Sequence, residues 1–520
     1  DFRSEIMELH RAIFDENQRR IAQSVAGYTD AFLRYEREYA ERVTHYQRRA
    51  TFDELDRRVR EADVVYVGDY HTLSQSQRGF LRMLRRAPTE RSLVIALEFL
   101  RIRHQKAVDA YLNDALEESA FLEAIGYDPE GGSGDWFSFK PIFDFAKEHG
   151  HRVVGLDTVG RGPDSPLVNR DRSAARVIAK ELVQEPSTLV FALVGELHAA
   201  PDHLPQRVHE ELQSRSWVHE PLVVYQNCHE IYWQIAERGL EHEVDLVRIA
   251  RGEYYLLNTL PIVAQQSFLN WIEQDDDAQI EAPEATFVEY AEVIAEFFDL
   301  ELGDALDEVE VTTIVDLSFL QRIQRRGDFS ASDVRKIRNQ ILNSESYFIP
   351  RANMVYLGNL SVNHTAEEAS HFVRAVCSGS HEPRLLVDAF YARTMEEAVG
   401  FLGSKLLNHK RRAPGPKELE RRSKSRRLDP HDRNVSRLVL KHLRMESGLR
   451  IRGGSEMYEC DADTFNEVTH LLGYILGEKI YYALVAGDLA KSDARALFLD
   501  DFEEEGVALT TYLYFVSRCR

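Results

Sequence analysis

Long apolar runs are missing from this chain. No window of roughly 18 residues is continuously apolar, so the sequence holds no transmembrane helix. Basic charge is short as well: 64 Lys and Arg stand against 86 Asp and Glu, a formal net charge of −22. Phosphate backbones are held by basic surfaces, so this balance excludes nucleic acid as the main partner. Cysteine is scarce, with Cys228, Cys377, Cys460 and Cys519 scattered along the chain and no CxxC pair among them. That excludes a disulfide framework and reads as reduced thiols, hence a cytoplasmic protein. The chain opens on Asp1 and not Met, as a processed product would, so a periplasmic destination stays open.

What is present is ordinary for a globular protein. Of 520 residues, 44% are hydrophobic and 29% charged, enough for roughly two to four domains with their own cores. Residues 1–50 read as a helical N-terminal arm, with Ile6, Leu9, Ile13 and Phe14, then Ala31, Phe32, Tyr35 and Tyr39 at helical spacing and Gly27 between the two runs. This arm reads as a packing helix or a homo-oligomer contact, without chemistry of its own. Residues 51–280 alternate short β-branched runs (64–68, 93–98, 152–157, 189–195, 222–226 and 244–250) with amphipathic helices, expected over Gln75–Arg86, His104–Ile125, Phe137–His149 and Arg172–Gln184. Repeated βα units predict an α/β fold with a mostly parallel sheet and flanking helices. The Gly-rich loop Asp128–Asp135 lacks the preceding strand of a phosphate cradle and reads as a loop beside Trp136. An acidic stretch with Pro283 marks a boundary near 280. Residues 281–520 read as a mainly helical domain, with short strands expected at 311–317 and 384–390.

Four of the strands end on polar groups. VVYVGDYH closes on Asp69, Tyr70 and His71, LVIALEF carries Glu98, RVVGLDT carries Asp157, and LVFALVGELH closes on Glu196 and His198. In a parallel sheet the carboxyl ends share one edge, where ligands bind. A carboxylate at the end of an apolar run such as Glu98 is costly unless it is paired or metal-bound, with Arg101 or Arg103 as the plain salt-bridge alternatives. Glu196 and His198, two apart, share a face if the chain stays extended, and His203 follows at a helix entry beside Asp202. His71, Glu98 and His198 form the two-His, one-carboxylate set of an open metal site, with Asp69 as an acceptor for the His71 imidazole. Such a site polarises carbonyls and activates water, with Glu196 or Asp157 as general base.

The order VGDYH…ALEF…VVGLD…VGELH resembles the ChaN/Tiki superfamily, which also includes the erythromycin esterases, over about residues 50–260. The resemblance implies that His71 is the first motif His, Glu98 the acid of the second strand and His198 the late His. One departure is Asp69, where Glu is usual; it shortens that acid by one methylene. ChaN-like members imply haem or iron binding, and Tiki-like and esterase members imply hydrolysis. Haem calls for a Tyr or His axial ligand; Tyr70 and Tyr225 are available beside the histidines.

The C-terminal half has a second cluster. NHTAEEASHF sets His364, Glu368 and His371 on one face of a helix, with the ExxH spacing of di-metal bundles. His470 and Glu478, two turns apart with Tyr474 between, offer a second helix to close such a site. EEAVGFLGSKLLNHK and VTHLLGYILGEKIYYA look faintly alike, both placing Leu-Gly before a lysine. Residues 404–427 hold ten Lys or Arg against two Glu and read as a solvated loop broken at Pro414, Gly415 and Pro416.

The leading expectation is therefore a cofactor-binding protein that holds iron, as haem or as a bare metal ion, at His71, Glu98 and His198, with Tyr70, Asp69, Asp157 and His203 around it. The divalent ion is iron or zinc on chemistry alone. A metal-dependent hydrolase of an ester or amide, using His71, Glu98, Glu196 and His198, is the alternative. A binding or scaffold protein with a vestigial site is the third reading. In each, the partner is a small molecule or cofactor, or a second protein.

Overall fold

The structure is a computed structural model. It describes all residues except 25–29, 128–135, 159–166, 274–282, 314–317, 326–328, 345, 359, 380–385, 449–453 and 520. The chain divides into two compact units, residues 13–279 and residues 1–12 with 280–520. Residues 1–50 form helices Phe2–Ser24 and Asp30–Arg42 and the short strand Arg48–Arg49. Gly27, between the two helices, lies outside the described residues.

The unit 13–279 is built on one eight-stranded sheet. Its strands are β1 (Arg48–Arg49), β2 (Val64–Asp69), β3 (Leu93–Arg101), β4 (Arg152–Asp157), β5 (Leu189–Gly195), β6 (Pro221–Tyr225), β7 (Leu246–Ala250) and β8 (Glu253–Leu256), in the order β1-β7-β8-β6-β2-β5-β3-β4. All pairs from β8 to β4 are parallel; β7 on β8 and β1 on β7 are antiparallel. The central strands are buried along almost their whole length, which is why they read as continuous apolar runs and not as alternation. The fold expected from the βα pattern is the one observed. Two details differ. The helix expected over 104–125 is two, Gln105–Leu112 and Glu118–Ile125, because Asp114 takes a left-handed φ of 56° between them. Strand β8 went unread because it follows β7 after only Arg251 and Gly252, and Gly252 supplies the φ of 77° that such a tight reversal needs. The 128–135 loop lies outside the described residues.

One irregularity positions the site. β3 pairs with both neighbours as far as Leu97, and then its register against β4 shifts between Leu97 and Arg101. This bulge turns the Glu98 side chain out of the ladder at the carboxyl edge. Opposite it, Gly155 of β4 leaves no room for a side chain: an added Cβ would lie 2.8 Å from the carbonyl oxygens of Leu100 and Arg101.

The unit 1–12 with 280–520 is mainly helical. It also has a three-stranded sheet, β10 (Ser346–Ile349), β11 (Met354–Leu357) and β9 (Glu310–Thr313) in that order, with a small core of its own. The strand expected at 384–390 is instead the start of helix Leu386–Leu407, whose long apolar sequence continues into a helix buried on most sides. Its neighbours are Val362–Ser378 and Ala462–Ala486. Their two look-alike segments serve close packing. Gly400 and Gly403 sit against His371 and Ser370, and Gly473 and Gly477 sit against the backbone of Thr394 and Ala398. The basic stretch is not simply a solvated loop. Lys405 is fully buried on Glu478, Arg411 is bonded to Glu367 and Tyr474, and Pro416–Lys424 is a helix with Pro416 in its first turn.

The bulge gives a stability prediction. Gly155→Ala must move backbone on a buried strand and is expected to cost about 1–3 kcal/mol in chemical denaturation. Gly415→Ala, where an added Cβ meets nothing within 4 Å, should be close to neutral. Equal midpoints for the two variants would refute the account of the bulge.

Candidate functional site

The site forms where β2, β3 and β5 end together. At Gly195, the last residue of β5, an added Cβ would stand 3.3 Å from Glu98 Oε2, 3.4 Å from His71 Nε2 and 3.5 Å from His198 Cδ2. The three residues singled out from the sequence therefore converge on one glycine. Glu98 is the centre. Its Oε2 accepts the Gly195 N–H at 2.6 Å, just past the point where the β3–β5 pairing ends at Leu97 and Leu193. Its Oε1 accepts from Arg170 Nη2 at 2.6 Å, while Arg170 Nε donates to Asp157 at 3.2 Å. The partner of Glu98 is thus Arg170, from the helix Leu167–Gln184, and neither Arg101 nor Arg103. Burial pushes the Glu98 carboxyl up, but His198, His71, Arg170 and the Gly195 N–H outweigh it and hold the group well below the usual carboxylate range.

The two histidines are each anchored through Nδ1 by a carboxylate. His71 Nδ1 bonds Asp69 Oδ2 at 2.8 Å, and Asp69 Oδ1 accepts from Gln77 at 2.5 Å. His198 Nδ1 bonds Asp171 at 2.6 Å and meets the Tyr35 hydroxyl at 2.9 Å, and that hydroxyl donates to Asp171 at 2.7 Å. A carboxylate on Nδ1 selects the tautomer and leaves Nε2 for a ligand. The environments then diverge. The His71 side chain is 30% exposed, and that of His198 is 10% exposed with Nε2 at 3.7 Å from Glu98. Burial lowers the basicity of His198, but Glu98 and Asp171 outweigh it and favour the imidazolium. The cavity beside Glu98, Asp157, Arg170, Asp171 and His198 has a volume of only about 20 Å³.

Glu196 does not join this cluster, contrary to the extended-chain expectation. After Gly195 the chain turns into a 3-10 segment, Glu196–Ala199, so residues two apart point in different directions. Glu196 lies against Gly68, where an added Cβ would be 3.0 Å from its side chain, and its Oε1 accepts the N–H groups of Gln226 and Asn227 at 2.9 Å each. Burial pushes its carboxyl up to about 7, despite those two bonds. His203 is also occupied elsewhere: it bonds the Leu197 carbonyl at 2.6 Å and Glu38 at 3.1 Å, and stacks on Tyr35 at 3.6 Å. Tyr225 is buried beside Glu253, whereas Tyr70 adjoins His71, with Phe268 at 6.5 Å.

Sequence reasoning missed Arg170, Asp171 and Tyr35. Arg170 and Asp171 sit near the start of a helix that begins at Leu167, five residues earlier than its periodicity suggests. Tyr35 and Tyr39 belong to the helix Asp30–Arg42, which was expected to carry no chemistry. The available signal was two tyrosines at i and i+4, whose hydroxyls need partners once their rings are buried. Tyr35 keeps its proton because burial and Asp171 both raise it.

The second expected cluster also assembles only in part. His364, Glu368, His371 and His470 line one cavity of about 480 Å³, and Glu478 is away from it, bonded to Lys405 at 3.1 Å. Glu368 turns to the sheet and accepts the Phe348 N–H at 2.7 Å. Its neighbour Glu367, one turn before His371, faces the cavity with Glu397.

Comparison with known proteins follows this geometry. Residues 55–161 match the family model for haem-binding uptake, Tiki superfamily, ChaN. The resemblance seen in the motifs is thereby shown over a stretch that holds His71 and Glu98. A solved structure described as cofacial haem binding to ChaN of Campylobacter jejuni is similar at 14% identity, over 34% of this chain and 86% of that one, with a TM-score of 0.27. No curated protein matches the chain.

Glu196 sets a pH prediction. Its folded-state acidity near 7 lies above the ordinary value of 4.5, so the folded chain holds a proton that the unfolded chain loses. That contribution is fully present below the unfolded value and lost as pH rises through about 7. Between about pH 5 and 8 the wild type should lose on the order of 2–3 kcal/mol more stability than Glu196→Gln, by the linkage relation. Parallel pH–stability curves for the two proteins would refute it.

Proposed function

We propose that the unit 13–279 binds haem at the carboxyl edge of its sheet, with His71 as the protein ligand to iron. The premise is the match of residues 55–161 to the ChaN haem-binding family. The observation that carries the assignment to one residue is the state of His71. Asp69, itself held by Gln77, fixes the imidazole through Nδ1, and the His71 side chain is 30% exposed against 10% for His198. A porphyrin does not fit inside: the cavity beside Glu98 and His198 holds about one water molecule by the usual size criterion. The cofactor would therefore lie against the outer face of the edge. Its flank there includes Tyr70, Phe268 and Trp271, with ring centroids 6.5 and 5.5 Å apart in sequence, and Trp271 is 38% exposed. Exposed aromatic surface suits a flat apolar macrocycle. When bound, haem supplies redox or ligand-binding chemistry at its iron. The chain's own part is to present one fixed imidazole and to keep Glu98 ionised behind it.

Glu98 and His198 then act as support. Their ion-paired network holds the ends of β3 and β5, and it needs no direct bond to the cofactor. The hydrolytic alternative lacks a comparable observation, because Glu196, the group poised near neutral acidity, faces Gln226 and Asn227.

Titrating haem into the full chain should give a Soret band at one haem per chain. His71→Ala should weaken binding by about 10- to 100-fold, in the range seen when a metal site's support is lost. Wild-type affinity in His71→Ala, or no Soret band with excess haem, overturns the proposal. Stoichiometric non-haem iron by elemental analysis, lost in His71→Ala, would replace haem with the bare ion.

A further inference from the structure

The helical unit contains a cluster that the haem reading leaves unused. Glu367, Glu397 and His470 each offer a ligand atom, and the three atoms lie within 4.8 Å of one another. No other group of three His, Cys, Asp or Glu residues does so among the described residues. They come from three different helices, Val362–Ser378, Leu386–Leu407 and Ala462–Ala486. Such an arrangement depends on how closely those helices approach, and the glycines set the approach. An added Cβ at Gly473 would be 2.3 Å from Glu397 Cβ, and one at Gly400 would be 2.5 Å from His371 Nε2.

The geometry points to a divalent first-row transition-metal site at Glu367, Glu397 and His470, with His371 as a fourth donor, opening on the 480 Å³ cavity. His470 Nδ1 is 2.8 Å from Glu397 Oε2, and His371 Nε2 is 3.9 Å from the same oxygen. Donors around a metal with bonds of about 2.1 Å stand roughly 3–4 Å apart, so small side-chain movements complete the set. Two carboxylates and two imidazoles are a mixed donor set of the kind zinc, iron and manganese accept.

Two further observations favour a cation. The cavity is lined by six carboxyl groups (Asp333, Glu367, Glu368, Glu396, Glu397 and Asp501) against three arginines (Arg351, Arg374 and Arg393), so negative groups are in excess. The two carboxylate ligands are pre-aimed: Arg393 bonds Glu397 at 2.5 Å, and Arg411 and Tyr474 bond Glu367 at 2.7 and 2.6 Å. Ordered ligands of this kind spare a metal the cost of arranging them. A metal with open positions toward that space would hold water or a small anionic molecule there.

The test uses the full chain, stripped with a chelator and reloaded. Co(II) should bind at one equivalent and give the visible ligand-field bands of a low-coordinate site. Glu397→Gln and His470→Ala should each weaken it by about 100-fold or more, beyond the loss typical of supporting residues. The double variant His71→Ala/His198→Ala should bind Co(II) as the wild type does, which separates this site from the sheet edge. If the ligand variants fail to fold, the wild type alone decides: Zn(II) should protect His371 and His470, and not His431, from acylation by diethylpyrocarbonate, read by mass spectrometry. Absence of that protection, or retention of Co(II) by a folded Glu397→Gln, overturns the site.

Discussion

The α/β unit depends on one carboxylate at the point where its central ladder stops. Just past the last β3–β5 pair, Glu98 accepts the N–H of Gly195 on the neighbouring strand. Once there, it is a buried charge and must be balanced. Arg170 does so directly, and Arg170 in turn binds Asp157 at the end of β4. One salt-bridge network thus ties together the ends of β3, β4 and β5. Removing either partner would leave the other charge buried and alone, the costly way to break such a pair at about 3–5 kcal/mol. The network is therefore both the site's electrostatic floor and part of the sheet's stability.

Around that floor the two histidines take different parts although they look alike in sequence. Both have Nδ1 on an aspartate, and both approach Glu98. His198 is closed in by Tyr35, Asp171 and Glu98 and favours the charged state, so it belongs to the network. His71 is the more exposed of the two, at 30%, and is the one proposed to meet the ligand. Burial, and not motif, makes the distinction.

The helical unit solves a related problem by another route. It brings side chains from three helices together by letting backbones approach at glycine, where any larger residue would hold them apart. Its ion pairs, such as Arg411 with Glu367 and Lys405 with Glu478, draw on the stretch that is richest in basic residues. Lys405 and Arg411 are interior partners in this fold, while Arg412, Lys417, Arg421, Lys424, Arg426 and Arg427 stay exposed.

The sequence by itself determined the parallel sheet, because strands buried on both faces must be apolar throughout and must alternate with helices. It also pointed to His71, Glu98 and His198 as one cluster, because parallel strands end on a common edge and these residues lie near the ends of three of them. It did not determine Arg170, Asp171 or Tyr35, which reach the edge from helices whose approach depends on packing. Nor did it separate Glu367 from Glu368, which differ by one residue and therefore by about 100° around the helix; both line the cavity, but Glu368 is taken up by the Phe348 N–H of β10 while Glu367 meets Glu397 and His470. The division has a physical reason. Strand direction and helix periodicity are local properties written in neighbouring residues, whereas the partner of a buried charge is chosen by whichever element packs against it.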